Sequence, residues 1–190
     1  MKGKRSPRVL LVIIAAMFLL PLLLAWLMYT GAIDYKPGST RNYGQLVTPP
    51  LPISWDEIEG GEAFREHWVI LHAVPDPCTD ECVSQITNLR QIHRASGRQQ
   101  SRILIALLLE EPIAADFSAM LKETYPEFQL VTDPSSDLQN SMQQVSASNG
   151  AVYLVDPLGN IMMAYPGGDD PNHLKQDLKR LLTWSKLDEQ

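Results

Sequence analysis

Trp68-Val69-Ile70-Leu71-His72-Ala73-Val74-Pro75-Asp76-Pro77-Cys78-Thr79-Asp80-Glu81-Cys82 is the stretch on which the fold turns. Its first seven residues are apolar except His72, the pattern of a strand covered on both faces. The turn that carries the thiols, Pro75 to Cys82, follows that strand. From Asp80 onward, Val83, Ile86, Leu89 and Ile92 recur at a spacing that one face of a helix accommodates. A buried strand therefore passes into a helix across Cys78 and Cys82, the only two cysteines in the chain, spaced C-x3-C.

Downstream, Ser96-Gly97 closes the helix, with glycine as its C-terminal cap, and Ile103–Leu109 is a second buried strand. Residues 112–125 have helical spacing, with Ile113, Phe117, Met120 and Leu121 on one side, and 128–131 is a short strand. Asp133-Pro134-Ser135 opens a helix to about Val145. Asn149-Gly150 is a turn; strands over 151–155 and 161–165 flank the turn Asp156-Pro157-Leu158-Gly159-Asn160. Asp170-Pro171 supplies an N-cap and a proline at the first helical position. The helix after it, to about Lys186, is expected to bury Leu174, Leu178, Leu181 and Leu182. Right-handed crossovers put the early strands in parallel, and the hairpin adds an antiparallel pair. The order predicts an α/β, thioredoxin-like fold: a central mixed sheet flanked by helices, with one helical insertion.

Upstream, Val9–Tyr29 is 21 residues without a charge, enough for a helix to cross a hydrocarbon core of ~30 Å. Pro21 is tolerable there, and Trp26 and Tyr29 fall where an interfacial aromatic belt sits. Lys2, Lys4, Arg5 and Arg8 precede it, so the positive-inside rule keeps the N-terminus cytoplasmic and exports the rest. The run is long for a signal peptide, and Ala25-Trp26-Leu27 is a poor cleavage site. The expected organisation is a cytoplasmic basic tail (1–8), a transmembrane anchor (9–29), an extended linker (30–54) and the thioredoxin-like domain (55–190). In a bacterium, that is a single-pass inner-membrane protein with a periplasmic domain. Pro49-Pro50-Leu51-Pro52 marks the linker as polyproline-like. Beyond residue 8 the chain carries 12 basic and 22 acidic residues, which argues against a nucleic-acid partner.

Two thiols at a strand-to-helix turn suit redox chemistry or a soft metal. If residues 79–82 enter the helix, Cys78 and Cys82 lie about one turn apart, within reach of a disulfide. The helix N-terminus favours a thiolate at Cys78, whereas Asp76, Asp80 and Glu81 disfavour it and would attract a cation. Soft thiolates suit Cu(I). A purely structural disulfide would gain little from closing so short a loop. Among the histidines, His72 falls six residues before Cys78; a satisfied strand histidine is its ordinary role, and it is also the best stand-in metal ligand. His67, His93 and His173 are read as ordinary, and Met162-Met163 as core filling.

The chain resembles the Sco/SenC group, membrane-anchored factors that help build the copper site of respiratory cytochrome oxidase. The resemblance is carried by the N-terminal anchor, Asn42-Tyr43-Gly44-Gln45-Leu46-Val47, Cys78-x3-Cys82, and Val152-Tyr153-Leu154-Val155-Asp156-Pro157-Leu158-Gly159. It implies copper as cofactor and the oxidase copper-site subunit, or its assembly factors, as partner. Two departures stand out: Val83 follows the second cysteine where the family has proline, and Ser148 stands where the family's ligand histidine is expected. Three activities remain open: thiol–disulfide exchange with Cys78 attacking and Cys82 resolving, Cu(I) carriage by Cys78, Cys82 and His72, and a non-catalytic assembly scaffold.

Overall fold

The computed structural model describes residues 7–31, 41–58, 60–109, 115–133, 136–146, 148 and 150–185. The tail through residue 6, linker residues 32–40, Ile113, Pro134, Ser135 and Asn149 lie outside the described residues. The chain divides into two units, residues 1–41 and 42–190.

The first unit contains one helix, α1 (Pro7–Tyr29), with none of its residues buried and Pro21 inside it. It is long and apolar enough to cross a membrane, with a mean hydropathy of 2.9.

The second unit is built on six strands among the described residues: β1 (Gln45–Pro52), β2 (Trp68–Ala73), β3 (Ile103–Leu109), β4 (Gln129–Thr132), β5 (Val152–Val155) and β6 (Asn160–Tyr165). Their order is β1-β6-β5-β2-β3-β4. β2, β3 and β4 run parallel, while β5, β6 and β1 pair antiparallel. The helices are α2 (Asp80–Ala95), α3 (Ala115–Thr124), α4 (Asp137–Val145) and α5 (Pro171–Trp184). This is the expected mixed sheet flanked by helices.

β2 is covered on both faces, as its sequence implies. Trp68, Ile70 and Val74 pack with Ile86 and Leu89 of α2 and with Leu174, Leu178 and Leu182 of α5. Val69 and Leu71 pack on the other face with Trp55, Phe64 and Met142 of α4. Alternation at a period of two explains the split: successive side chains leave a strand on opposite sides. At the β5–β6 turn the Asp156 carboxylate accepts from Leu158 N and Asn160 N, and Gly159 takes φ +87°.

Three features depart from the sequence reading. The segment read as an extended linker contains β1, an edge strand paired to β6 with an irregularity between Leu46 and Leu51. Prolines are tolerated there because an edge strand has one ladder without partners. In α2 the buried stripe runs through Cys82, Ile86, Leu89, Ile92 and His93, and Val83 is exposed, because spacings of three and four from Ile86 select Cys82. In α5, Asp177 is buried inside the apolar stripe, and Leu181 is only partly buried.

Asp177 pins the start of the domain. Its Oδ2 accepts from Tyr43 N at 2.8 Å, Gly44 N at 2.9 Å and the Tyr165 hydroxyl at 3.1 Å; Oδ1 accepts from Arg180 at 3.2 Å. Burial, and then the Asp177 charge, push the Tyr165 hydroxyl far above its ordinary value. Tyr43 stacks on His173 at 4.7 Å, and the Arg180 guanidinium lies 5.4 Å from the Tyr43 ring centre. Gly44 is required, because a Cβ there would sit 2.6 Å from the Tyr165 ring. His173, read as ordinary, also bonds Asp169 at 2.9 Å.

His72 is fully buried in β2, in register with Leu107 of β3 and Val152 of β5. Its Nδ1 lies 3.2 Å from Ala151 O. A carbonyl only accepts, so Nδ1 carries the proton and Nε2 is a bare lone pair. Desolvation lowers the His72 pKa from 6.5 to about 4, against the raising effect of the Ala151 bond.

Two stability measurements follow from these contacts. Asp177→Ala leaves two buried backbone donors and a tyrosine hydroxyl without an acceptor, and is expected to cost about 3 kcal/mol in urea unfolding. Asp177→Asn, which keeps the shape, is expected to cost less; equal midpoints for wild type and the alanine variant would sink this account. For His72 the folded-state pKa lies below the unfolded one, so the unfolded chain binds protons more readily between pH 6.5 and about 4. Stability is therefore lost as pH falls through that window, by roughly 3 kcal/mol from this group. His72→Leu should unfold with a shallower pH dependence than wild type over the same range.

Candidate functional site

Thr79, in extended conformation, occupies the N-cap position of α2, and Val83 N donates to Thr79 O at 3.0 Å, winding the first turn. That turn brings the cysteines together. Cys78 and Cys82 are joined in a disulfide with Cα atoms 5.3 Å apart, within the range such a bond tolerates. The two sulfurs occupy unlike surroundings. Cys82 is 3% exposed and belongs to the core beneath α2, whereas Cys78 packs against that core while remaining partly exposed. The asymmetry follows from position: Cys82 begins the buried stripe of α2, and Cys78 precedes the helix on the turn.

Two loops meet the same end of α2. Gln85 Nε2 donates to Gly150 O at 2.9 Å. Ser148 Oγ accepts from Gly167 N at 2.9 Å, tying the loop before β5 to the loop after β6. Gly168 sits so close to Glu81 that a Cβ would lie 3.2 Å from its Oε1. A cleft of about 330 Å³ is lined by Val74, Pro75, Gln139, Gln143, Ser146 and Ser148 among others. Asp76, Asp80 and Glu81 are exposed around the turn.

The positive end of α2 favours a thiolate at Cys78 by about 0.3–1 kcal/mol at an exposed position. The three exposed carboxylates oppose it through solvent. What the arrangement can do chemically is exchange. The accessible sulfur can be attacked, or can attack once reduced, while the buried one is protected from solution thiols and held beside it.

The proposed metal donors are not gathered in the same way. Cys78 and Cys82 are spent on each other, and His72 projects from β2 into the layer between sheet and helix, on the face of Ile70 and Val74. No group of three His, Cys, Asp or Glu side chains that could hold a metal occurs among the described residues. Ser148, at the position expected for a ligand histidine, spends its hydroxyl on the Gly167 backbone. The residues present thus do not assemble a three-donor copper centre in this disulfide form. Met163 is buried in the core, in keeping with a packing role.

The sequence reading missed Asp177, Gln85 and the backbone role of Ser148. Asp177 was detectable in principle, as an acid in the apolar stripe between Leu174 and Leu178. The Gln85–Gly150 and Ser148–Gly167 bonds span loops far apart in the chain, and no local signal announces them.

Among solved structures, the copper-bound crystal structure of Arabidopsis thaliana ScoI is similar, at a TM-score of 0.53 and 14% identity, covering 75% of this chain and 99% of that one. The thioredoxin domain of a Bacteroides vulgatus thiol-disulfide oxidoreductase is similar at a TM-score of 0.51 and 16% identity, covering 76% and 99%. At such identities these likenesses establish the fold. No curated protein matches the sequence. Residues 68–185 match the family described as the transmembrane-like, thioredoxin-like C-terminal domain, and the chain belongs to that family.

Proposed function

We propose that the protein is a membrane-anchored thiol–disulfide exchange factor whose working groups are Cys78 and Cys82. The observation that carries this is the unequal burial of two bonded sulfurs at a helix N-terminus. In the reducing direction, the Cys78 thiolate attacks a partner disulfide, forming a Cys78–partner bond and releasing one partner thiolate. Cys82, deprotonated, then attacks the Cys78 sulfur. The Cys78–partner bond breaks, the second partner thiolate leaves, and the Cys78–Cys82 disulfide is restored. Two electrons pass from this dithiol to the partner, and the two protons of its thiols pass to the partner sulfurs. The oxidising direction is the reverse.

The partner we assign is a cysteine pair of the copper-site subunit of a respiratory cytochrome oxidase, or of one of its assembly factors. That pair must be reduced before metal enters. The assignment rests on the resemblance of residues 42–47, 78–82 and 152–159 to the Sco/SenC group. The same proposal has the domain in the periplasm of a bacterium, with α1 in the inner membrane and the basic tail in the cytoplasm, an orientation that Lys2, Lys4, Arg5 and Arg8 ahead of the apolar run support. Exchange is preferred to copper carriage because Ser148 Oγ is engaged by Gly167 N and His72 faces the core.

Trapping tests both levels. With the full chain reduced in detergent micelles, Cys82→Ser is expected to accumulate a mixed disulfide through Cys78, and Cys78→Ser to accumulate none. In cells, Cys82→Ser is expected to trap an oxidase subunit or assembly factor. Oxidase assembly that proceeds unchanged in a Cys78→Ser/Cys82→Ser double variant would leave only a scaffold role. Tight binding of one Cu(I) by the reduced chain, lost with either cysteine, would favour carriage instead.

A further inference from the structure

A second cleft lies at the opposite end of the sheet from the dithiol. β2 runs toward the thiol turn, and Val69, near its start, pairs with Val155, the last residue of β5. The turn from Asp156 to Asn160 therefore sits at the start of β2, with about 20 Å of strand between it and the thiol end. Between this turn, the short helical turn Trp55–Glu57 and residues 65–66 is a cleft of about 440 Å³. Its lining includes Ile53, Trp55, Glu57, Glu66, Pro157 and Leu158.

The walls of this cleft are tied to one another. Glu66 N donates to Pro157 O at 3.2 Å, and Ile53 N donates to Gly159 O at 2.8 Å. Gly61 backs Trp55 so closely that a Cβ would sit 1.9 Å from Trp55 O. Two kinds of surface meet there. Leu158, at the tip of the hairpin, is 86% exposed. A lone exposed leucine is ordinary, but this one borders a cleft whose lining also holds Ile53 and Pro157. Arg65 is spent on Asp56. The carboxylates of Glu57 and Glu66 are exposed, and neither has a partner among the described residues. Apolar surface and two uncompensated negative charges thus share one preformed cleft.

We propose that this cleft docks a segment of a partner polypeptide that carries an apolar side chain with lysine or arginine beside it. The apolar side chain covers Leu158, and the basic groups meet Glu57 and Glu66. Charge selects this occupant over others. Beyond residue 8 the chain carries 12 basic and 22 acidic residues, so a second copy of the domain brings like charge to the cleft. An anionic membrane surface is repelled by the same two glutamates. The fixed walls lower the cost of binding, because only the incoming segment has to be ordered. A segment held here leaves the thiol turn uncovered, since the two sites lie at opposite ends of β2. One chain then holds a partner at one pole while its thiols meet solvent at the other.

The inference stands apart from the exchange function, and its test does not depend on that function. The full chain, in micelles of an uncharged detergent, is titrated with a capped pentapeptide of alternating lysine and leucine while amide 15N shifts are followed. Saturable shifts are expected at Glu57, Glu66 and Leu158, and none at Cys78 or Cys82. The affinity is expected to fall as salt is raised. Glu57→Lys/Glu66→Lys and Leu158→Ser should each weaken binding about tenfold. All three side chains are exposed, so these variants keep the fold. Cys78→Ser/Cys82→Ser should bind as tightly as wild type. The absence of any saturable shift overturns the proposal, and so do equal shifts with the counterpart peptide that has glutamate in place of lysine. A charge-reversed variant that binds at the wild-type affinity, or shifts confined to the thiol turn, overturns it as well.

Discussion

β2 is packed on both faces, and the placement of the thiols depends on that constraint. Ile70 and Leu71 are both fully buried although they point in opposite directions. A strand held from both sides has no freedom to slide, because a one-residue slip would exchange its two faces. Its end at Ala73 is therefore fixed, and so is the start of the turn that carries Cys78 to the mouth of α2. Each fully buried Leu or Ile contributes on the order of 1.5–3 kcal/mol to holding it there.

Around that strand most polar groups in the core have partners. Asp177 is the costly one. A buried carboxylate loses several kcal/mol of hydration, and here it recovers this through two backbone donors, a tyrosine hydroxyl and Arg180. The same contacts fasten Tyr43 and Gly44, so β1 enters the sheet from a defined point. His93 is satisfied by Ile103 O. Among the described residues, His72 has one nitrogen satisfied and one without a partner, and Trp68 Nε1 is also buried without one.

The dithiol belongs to two environments at once. Cys82 is part of the hydrophobic layer under α2, while Cys78 meets solvent among Asp76, Asp80 and Glu81. The proposed exchange would draw on this division, with a partner reaching one sulfur and the other acting only after a bond has formed. The loops that close around the site are joined by backbone acceptors and Ser148, a neutral hydroxyl. That framework orders the rim of the site without offering a soft third donor to a metal.

Local pattern was enough for the elements themselves. The two-sided burial of β2, the strand–helix order after it, the hairpin at Asp156 to Asn160 and the α5 N-cap at Asp170 are all short-range signals, and all were legible in the residues. So were the C-x3-C spacing and the single apolar helix at the N-terminus. Tertiary structure decided what depends on contacts between distant segments. It made the proline-rich run at 49–52 part of an edge strand, because pairing with β6 is set by a partner more than 100 residues away. It chose Cys82 over Val83 for the core, since the rotation of α2 is fixed by the sheet it packs on. It buried Asp177 among the groups that satisfy it, and left His72 Nε2 bare. Sequence spacing specifies which side of an element a residue occupies; only the packed neighbours determine what that side meets.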